Sequence, residues 1–152
     1  MIKGAEGNMK LLKLHKTVFL CSQRVPASVV LKCYDWAIEQ RAKENCVVSG
    51  FHSKLEKDVL HYLLKGKQPI IIALARGLKE RIEPELQNSL DEGRLLIITP
   101  FEKHIKRVTQ ETATIRNKMM LELADDIVIG YANPKGKLTV LINGISKPRM
   151  LL

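Results

Sequence analysis

Short runs of β-branched and aliphatic residues recur along this chain with helix-length segments between them, and that alternation restricts the fold more than any other feature. The runs 17–22 (TVFLCS), 46–49 (CVVS), 70–74 (IIIAL) and 95–99 (LLIIT) are apolar almost throughout. A strand that is apolar on both sides has both sides buried. Between the first two runs, Val29, Val30, Cys33, Trp36, Ala37 and Gln40 recur at helical spacing behind Pro26, which suits a first helical turn. A second helix is predicted over 54–65, stopping at Gly66, and a third over 83–92, between Pro84 and Gly93. The pattern continues with a helix over 111–124 and a strand over 126–131. After the turn Asn133-Pro134-Lys135-Gly136, the run 138–142 reads as a sixth strand.

Strands that alternate with helices are joined by right-handed crossovers and pair in parallel. The expected fold is therefore α/β, a Rossmann-like three-layer domain whose mostly parallel sheet is covered by helices on both faces. With 152 residues the chain has the size of one domain, and residues 1–16 and 147–152 read as peripheral. No internal repeat, low-complexity segment or linker interrupts it.

Charge narrows the class of partner. Twenty-five Lys and Arg stand against sixteen Asp and Glu, a formal net charge of +9, which suits a polyanion such as nucleic acid. Cys21, Cys33 and Cys46 form no C-x-x-C pair and cannot all be bridged within the chain, which fits a reduced, intracellular setting. No apolar segment approaches the ~20 residues that a membrane span needs, and the expectation is a soluble, cytoplasmic protein without a membrane partner.

In an open parallel sheet, ligands collect beyond the carboxyl ends of the strands. The residues that follow each run are thus the candidates: Ser22-Gln23-Arg24, Ser49-Gly50-Phe51-His52-Ser53, Ala75-Arg76-Gly77, the stretch from Pro100 to Arg107, and Lys135-Gly136-Lys137. The fourth helix opens near Arg116-Asn117-Lys118. An Arg or Lys follows every strand but the second, so one rim of the sheet is predicted to be basic, with Gly50, Gly77 and Gly136 letting a phosphate approach the backbone. Phe51, Phe101 and Tyr131 are the rim aromatics. His15, His52, His61 and His104 are scattered without metal-ligand spacing, and no G-x-S-x-G elbow accompanies the serines beside His52. Neither a metal nor another cofactor is expected. Glu56 and Asp58 read as parts of a solvated helix face, and Asp125-Asp126 as a structural turn at the far end of the sheet.

Ser22-Gln23-Arg24, Ser49-Gly50 and Arg116-Asn117-Lys118, in that order and at those places on the fold, resemble the G-S-R, S-G-x-A-x-G-I-D and R-N-R elements of the DprA/Smf DNA-processing proteins. The likeness runs from about Thr17 to Leu141. It implies a domain that binds single-stranded DNA in a basic pocket during recombination or DNA uptake, forms a homodimer and loads a recombinase. Carried over by position, Arg24 stands for the arginine of the first element, Ser49 and Gly50 for the second, and Arg116, Asn117 and Lys118 for the third. Gly136 and Lys137 stand near a small-residue loop of that family. Departures are visible: Cys21 occupies the place of the first glycine, Gln23 is inserted, and the remainder of the second element is replaced by residues 52–58.

A second resemblance, within the same superfamily, is to the LOG-type nucleotide phosphoribohydrolases, whose P-G-G-x-G-T-x-x-E signature ends in a catalytic Glu. Residues 134–141 (PKGKLTVL) keep one of those glycines and no Glu follows, so the chain is not expected to be an enzyme of that kind. The alternative to DNA binding is therefore a nucleotide-binding sensor or, with catalysis, a LOG-like hydrolase.

Overall fold

The computed structural model describes residues 1–152. Seven strands form one sheet: β1 (Gly4–Gly7), β2 (Lys16–Leu20), β3 (Cys46–Ser49), β4 (Ile70–Ala73), β5 (Leu95–Thr99), β6 (Asp126–Ile129) and β7 (Arg149–Leu151). Five α-helices accompany them: α1 (Ala27–Arg41), α2 (Lys54–Leu64), α3 (Pro84–Asp91), α4 (Gln110–Leu123) and α5 (Lys137–Asn143). The strand order is β1-β5-β4-β3-β2-β6-β7, parallel throughout except for β1, which runs antiparallel to β5.

The chain steps outward from β2 through β3, β4 and β5, then returns to lay β6 on the other side of β2. Right-handed crossovers in opposite directions place their helices on opposite faces. On one face α1, α2 and α3 bury Phe19, Trp36, Val59, Leu63, Ile70 and Leu86. Trp36 stacks on Phe19 with ring centroids 5.0 Å apart. On the other face α4 and α5 bury Val18, Leu20, Met119, Met120, Ile127 and Ile142. All residues of β2, β3, β4 and β5 are buried, as their apolar runs require. At the amino ends of the strands, Asp125 accepts from the Lys16 N–H at 2.8 Å and lies 3.3 Å from its ammonium. The backbone bond, ahead of the ammonium, holds the Asp125 carboxyl below its ordinary value, so this acidic turn ties α4 to β2.

Three expectations are corrected. The run 138–142 is helix α5, not a strand. Its inward residues Leu138, Leu141, Ile142 and Ile145 recur at three- and four-residue steps, while Val140 is 72% exposed. That spacing is helical, and the β-branched Thr139 and Val140 disguise it. The fifth parallel pairing is made instead by β7, inside the segment expected to be peripheral, with Ile127 opposite Arg149. The start of the chain also enters the sheet: β1 pairs Gly4 with Thr99 and Gly7 with Leu96, and the 3-10 turn Met9–Lys13 buries Leu11. Gly7 adopts φ 112°, and a side chain there would collide with the Leu95 carbonyl.

Candidate nucleic-acid and nucleotide interface

The loops that follow β2, β3, β4, β5 and β6 share one edge of the sheet, and between β2 and β6 the connection reverses direction. The two loops flanking that reversal are fastened together. Ser22 donates its N–H to the Tyr131 carbonyl at 2.7 Å, and its hydroxyl accepts from the Asn133 N–H at 2.9 Å. Asn133 then organises the turn into α5, its carbonyl accepting from Gly136 N–H and Thr139 Oγ1. Gly136 is the residue before α5, and the Lys137 ammonium donates to Gln110 Oε1 at 3.0 Å, bridging to the start of α4. Arg24 and Lys137 are both exposed to solvent.

A second region lies beside it. A cavity of about 730 Å³ opens between α2, α3 and the ends of β3 and β4. Its floor is aliphatic, formed by Leu60, Leu64, Ile72, Leu86 and Ile97. Its margin carries six cationic side chains, Lys57, Arg76, Lys79, Arg81, Lys106 and Arg116, against the three carboxylates Asp58, Glu83 and Glu85. Two of those carboxylates are engaged: Asp58 accepts from the Tyr34 hydroxyl at 2.6 Å, and Glu83 from the Lys79 ammonium at 2.7 Å. The hydrogen bond to Asp58 is the main reason that the Tyr34 phenol is pushed up to about 12.

Arg116 has a different environment from every other cation at this edge. It is the seventh residue of α4, about 9 Å along the helix axis from Gln110 and not in the opening turn as expected. From there its side chain crosses the carboxyl edge of the sheet and is only 7% exposed. Nη1 donates to the Ala73 carbonyl at 3.2 Å and Nε to Asn117 Oδ1 at 2.8 Å. No carboxylate lies within ion-pair distance of it. Nη2 has no protein acceptor and is not sealed from solvent, and Arg116 is among the residues that line the cavity. Burial lowers its pKa and the charge of Glu56 opposes that shift, yet a guanidinium remains charged in a protein.

Glycine at position 50 makes this placement possible, since a Cβ there would overlap the Arg116 guanidinium. The loop that carries Gly50 is held by Glu56, whose carboxylate accepts from the N–H groups of His52 at 3.2 Å and Ser53 at 3.0 Å while Ser53 caps α2. Phe51, between them, is 5% exposed and adopts φ 47°, a conformation that costs a bulky residue energy and persists only when its surroundings impose it. Glu56 is thus no solvated carboxylate: it is 8% exposed and shapes the loop beside Arg116. Asp58 is likewise part of the cavity margin.

The sequence candidates therefore separate into groups. Gly50 and Arg116 line the cavity together, and Asn117 orients the arginine. Ser49 adjoins them but is fully buried, its hydroxyl accepting from the Phe51 N–H at 3.3 Å. Ser22, Gly136 and Lys137 belong to the fastened loops at the reversal, and Arg24 to the exposed stretch just beyond Ser22. Lys118 lies apart from both, in a shallow hollow with Met1, Lys3, Ile115 and Glu122. The cavity floor was not legible, because Leu60, Leu64 and Leu86 carry the same signal as any core residue. Arg76 and Lys106 stood in the loops after the strands, where rim position was their one sequence signal.

Comparisons with known proteins bear on the fold. No family model matches the chain, and no curated protein matches it. Among solved structures it is similar to DNA processing protein A from Helicobacter pylori, whose structure concerns its single-stranded DNA binding mode. The TM-score is 0.75 at 19% identity, over 97% of this chain and 69% of that one. DNA processing protein A from Streptococcus pneumoniae gives a TM-score of 0.74 at 15% identity, with 97% of this chain spanning 53% of the other. The Moco carrier protein from Chlamydomonas reinhardtii gives 0.57 at 9% identity, over 91% and 76%. The chain has the Rossmann-like fold of the DNA processing protein A structures, and it spans about half to two thirds of their length.

Proposed function

We propose that this protein binds single-stranded nucleic acid, DNA before RNA, along the carboxyl edge of its sheet. The observation that carries the reading is Arg116, a buried guanidinium that lines a cavity and has no ion-pair partner and one nitrogen without a protein acceptor. A charge withdrawn from water without a counter-charge in direct contact is costly, and Glu56 acts on Arg116 only from beyond ion-pair distance. A phosphate group would supply that counter-charge through a charge-assisted contact. Support comes from the exposed cations along the same edge, Arg24, Lys106 and Lys137, from the half-buried Arg76 among them, and from the likeness of fold to DNA processing protein A.

The division of labour follows from exposure. Exposed cations attract the strand from a distance and displace its counterions, so affinity falls with salt by a slope of about −0.7 per phosphate contact. Arg116, with Gly50 giving close access and Asn117 fixing its plane, holds one phosphate at a set position. Ser49 acts through the shape of its loop. The chain binds without turning its ligand over. A homodimer and delivery of the strand to a recombinase belong to the same reading, and light scattering in the presence of DNA tests the first.

Fluorescence anisotropy with a labelled mixed-sequence oligonucleotide, titrated at several salt concentrations, tests the proposal. Saturable binding with a negative salt slope, weakened by Arg116→Ala, is the expected result. Binding that is absent at low salt, or that Arg116→Ala leaves unchanged, would refute it.

A further inference from the structure

The cavity beside Arg116 is larger than a phosphate needs, and its shape carries information about the rest of the ligand. Its volume of about 730 Å³ falls within the ~300–1,000 Å³ typical of small-molecule sites. An aliphatic floor of Leu60, Leu64, Ile72, Leu86 and Ile97 lies on one side, and the buried guanidinium of Arg116, without an ion-pair partner, is among the lining groups. Such a site takes a molecule with an anionic end and an apolar body.

The polar groups around the floor choose between bodies. Arg76 and His61 offer donors, while Asp58 and Glu85 offer acceptors. An alkyl chain laid across them would strip water from both kinds and return no hydrogen bonds, which is unfavourable. A nucleobase has two flat faces for the aliphatic walls and an edge that carries donors and acceptors together. Phe51, which lines the cavity, adds one aromatic surface.

We infer that the cavity between α2 and α3 is a nucleotide pocket, which takes a nucleoside monophosphate unit with its phosphate on Arg116 and Gly50 and its base over Leu60, Ile72 and Ile97. The phosphate contact rests on the strand-binding reading, whereas the pocket for the base is a separate claim about a separate surface. The unit arrives either as a free nucleotide or as a residue of a bound strand, and the chemistry of recognition is shared. In the second case the strand leaves its exposed track of Arg24 and Lys137 and turns one base inward at Arg116.

Methyl NMR of the isoleucine and leucine side chains distinguishes the two claims, because Ile72, Ile97 and Leu86 report the cavity while the backbone amides of Arg24 and Lys137 report the outer track. AMP and TMP are expected to shift the cavity methyls saturably, and inorganic phosphate to leave them in place. Arg116→Met should weaken AMP at least tenfold, and Leu64→Trp, which fills the cavity at a half-buried position, should weaken it as much while the methyl spectrum of the α4–α5 face stays native. Oligonucleotide that shifts the cavity methyls as well shows the strand as a source; if AMP alone shifts them, the source is free nucleotide. Oligonucleotide that moves the Arg24 and Lys137 amides, with no nucleotide or strand moving the cavity methyls, would overturn the pocket and leave strand binding standing. Cavity shifts from decanoate but not from AMP or TMP would overturn it in favour of an acyl ligand. Cavity shifts from AMP with no oligonucleotide binding at all would support the pocket and sink the strand reading.

Discussion

Two stretches of one sheet edge carry positive charge in opposite ways. At the reversal between β2 and β6, Arg24 and Lys137 stand in water, and the loop order there comes from Ser22 and Asn133. One strand over, Arg116 is drawn across the edge and 7% exposed, held by a carbonyl and an amide oxygen and by no carboxylate. Exposed charges act at long range and are screened within ~8–10 Å at ordinary salt; buried ones are screened far less. The first stretch therefore sets how fast and how salt-sensitively a polyanion arrives, and the second sets where one phosphate stops.

The largest effect should come from the buried member. Arg116→Ala is expected to cost about 1.5–3 kcal/mol of oligonucleotide affinity, a loss of roughly ten- to a hundredfold. That loss should persist at high salt, where anisotropy titrations of the wild type and the variant would run nearly parallel. Convergence of the two curves as salt rises would place Arg116 among the screened charges and erase the contrast. Gly50→Ala should follow with about a fivefold loss, or ~1 kcal/mol, since the new methyl group must displace the guanidinium. The sharper readout for Gly50→Ala is the Arg116 Nε–H resonance, which should move as its bond to Asn117 is disturbed.

Arg24→Ala and Lys137→Ala are expected to lose only severalfold at low salt, each lowering the magnitude of the salt slope by about 0.7. At high salt both should approach the wild type. A slope unchanged in Arg24→Ala would mean that the strand does not pass the β2–β6 reversal.

Much of the fold was legible in the sequence. The parallel core strands were visible because a strand buried on both faces leaves an unbroken apolar run, and 46–49 and 95–99 coincide with β3 and β5. Edge strands leave no such mark: β1 is GAEG and β7 is RML, and both pair through backbone groups that any side chain allows. The site was legible as an edge and not as a shape. Loop positions named Arg24, Gly50 and Lys137, and an expected helix opening, which the resemblance then matched, named Arg116, but helical position is not side-chain position. Arg116 and Lys118 are two residues apart, about 200° around the helix. One reaches the cavity and the other faces Met1, Lys3 and Glu122.

That divergence gives the smallest prediction and the strictest one. Lys118 is exposed, so if net charge alone drew the strand its removal should resemble removal of Arg24. Position argues otherwise, because Lys118 shares its shallow hollow with Pro100, Met119 and Glu122, on the flank of α4 turned away from Gly50. The Glu122 carboxylate, one helical turn on, also offsets part of its field. Lys118→Ala should therefore change oligonucleotide affinity by less than about twofold and leave the salt slope where it was, a shift within the few tenths of a kcal/mol usual for an isolated surface charge. A change as large as that of Arg24→Ala would show that the strand wraps α4 and that the interface is wider than the two stretches compared here.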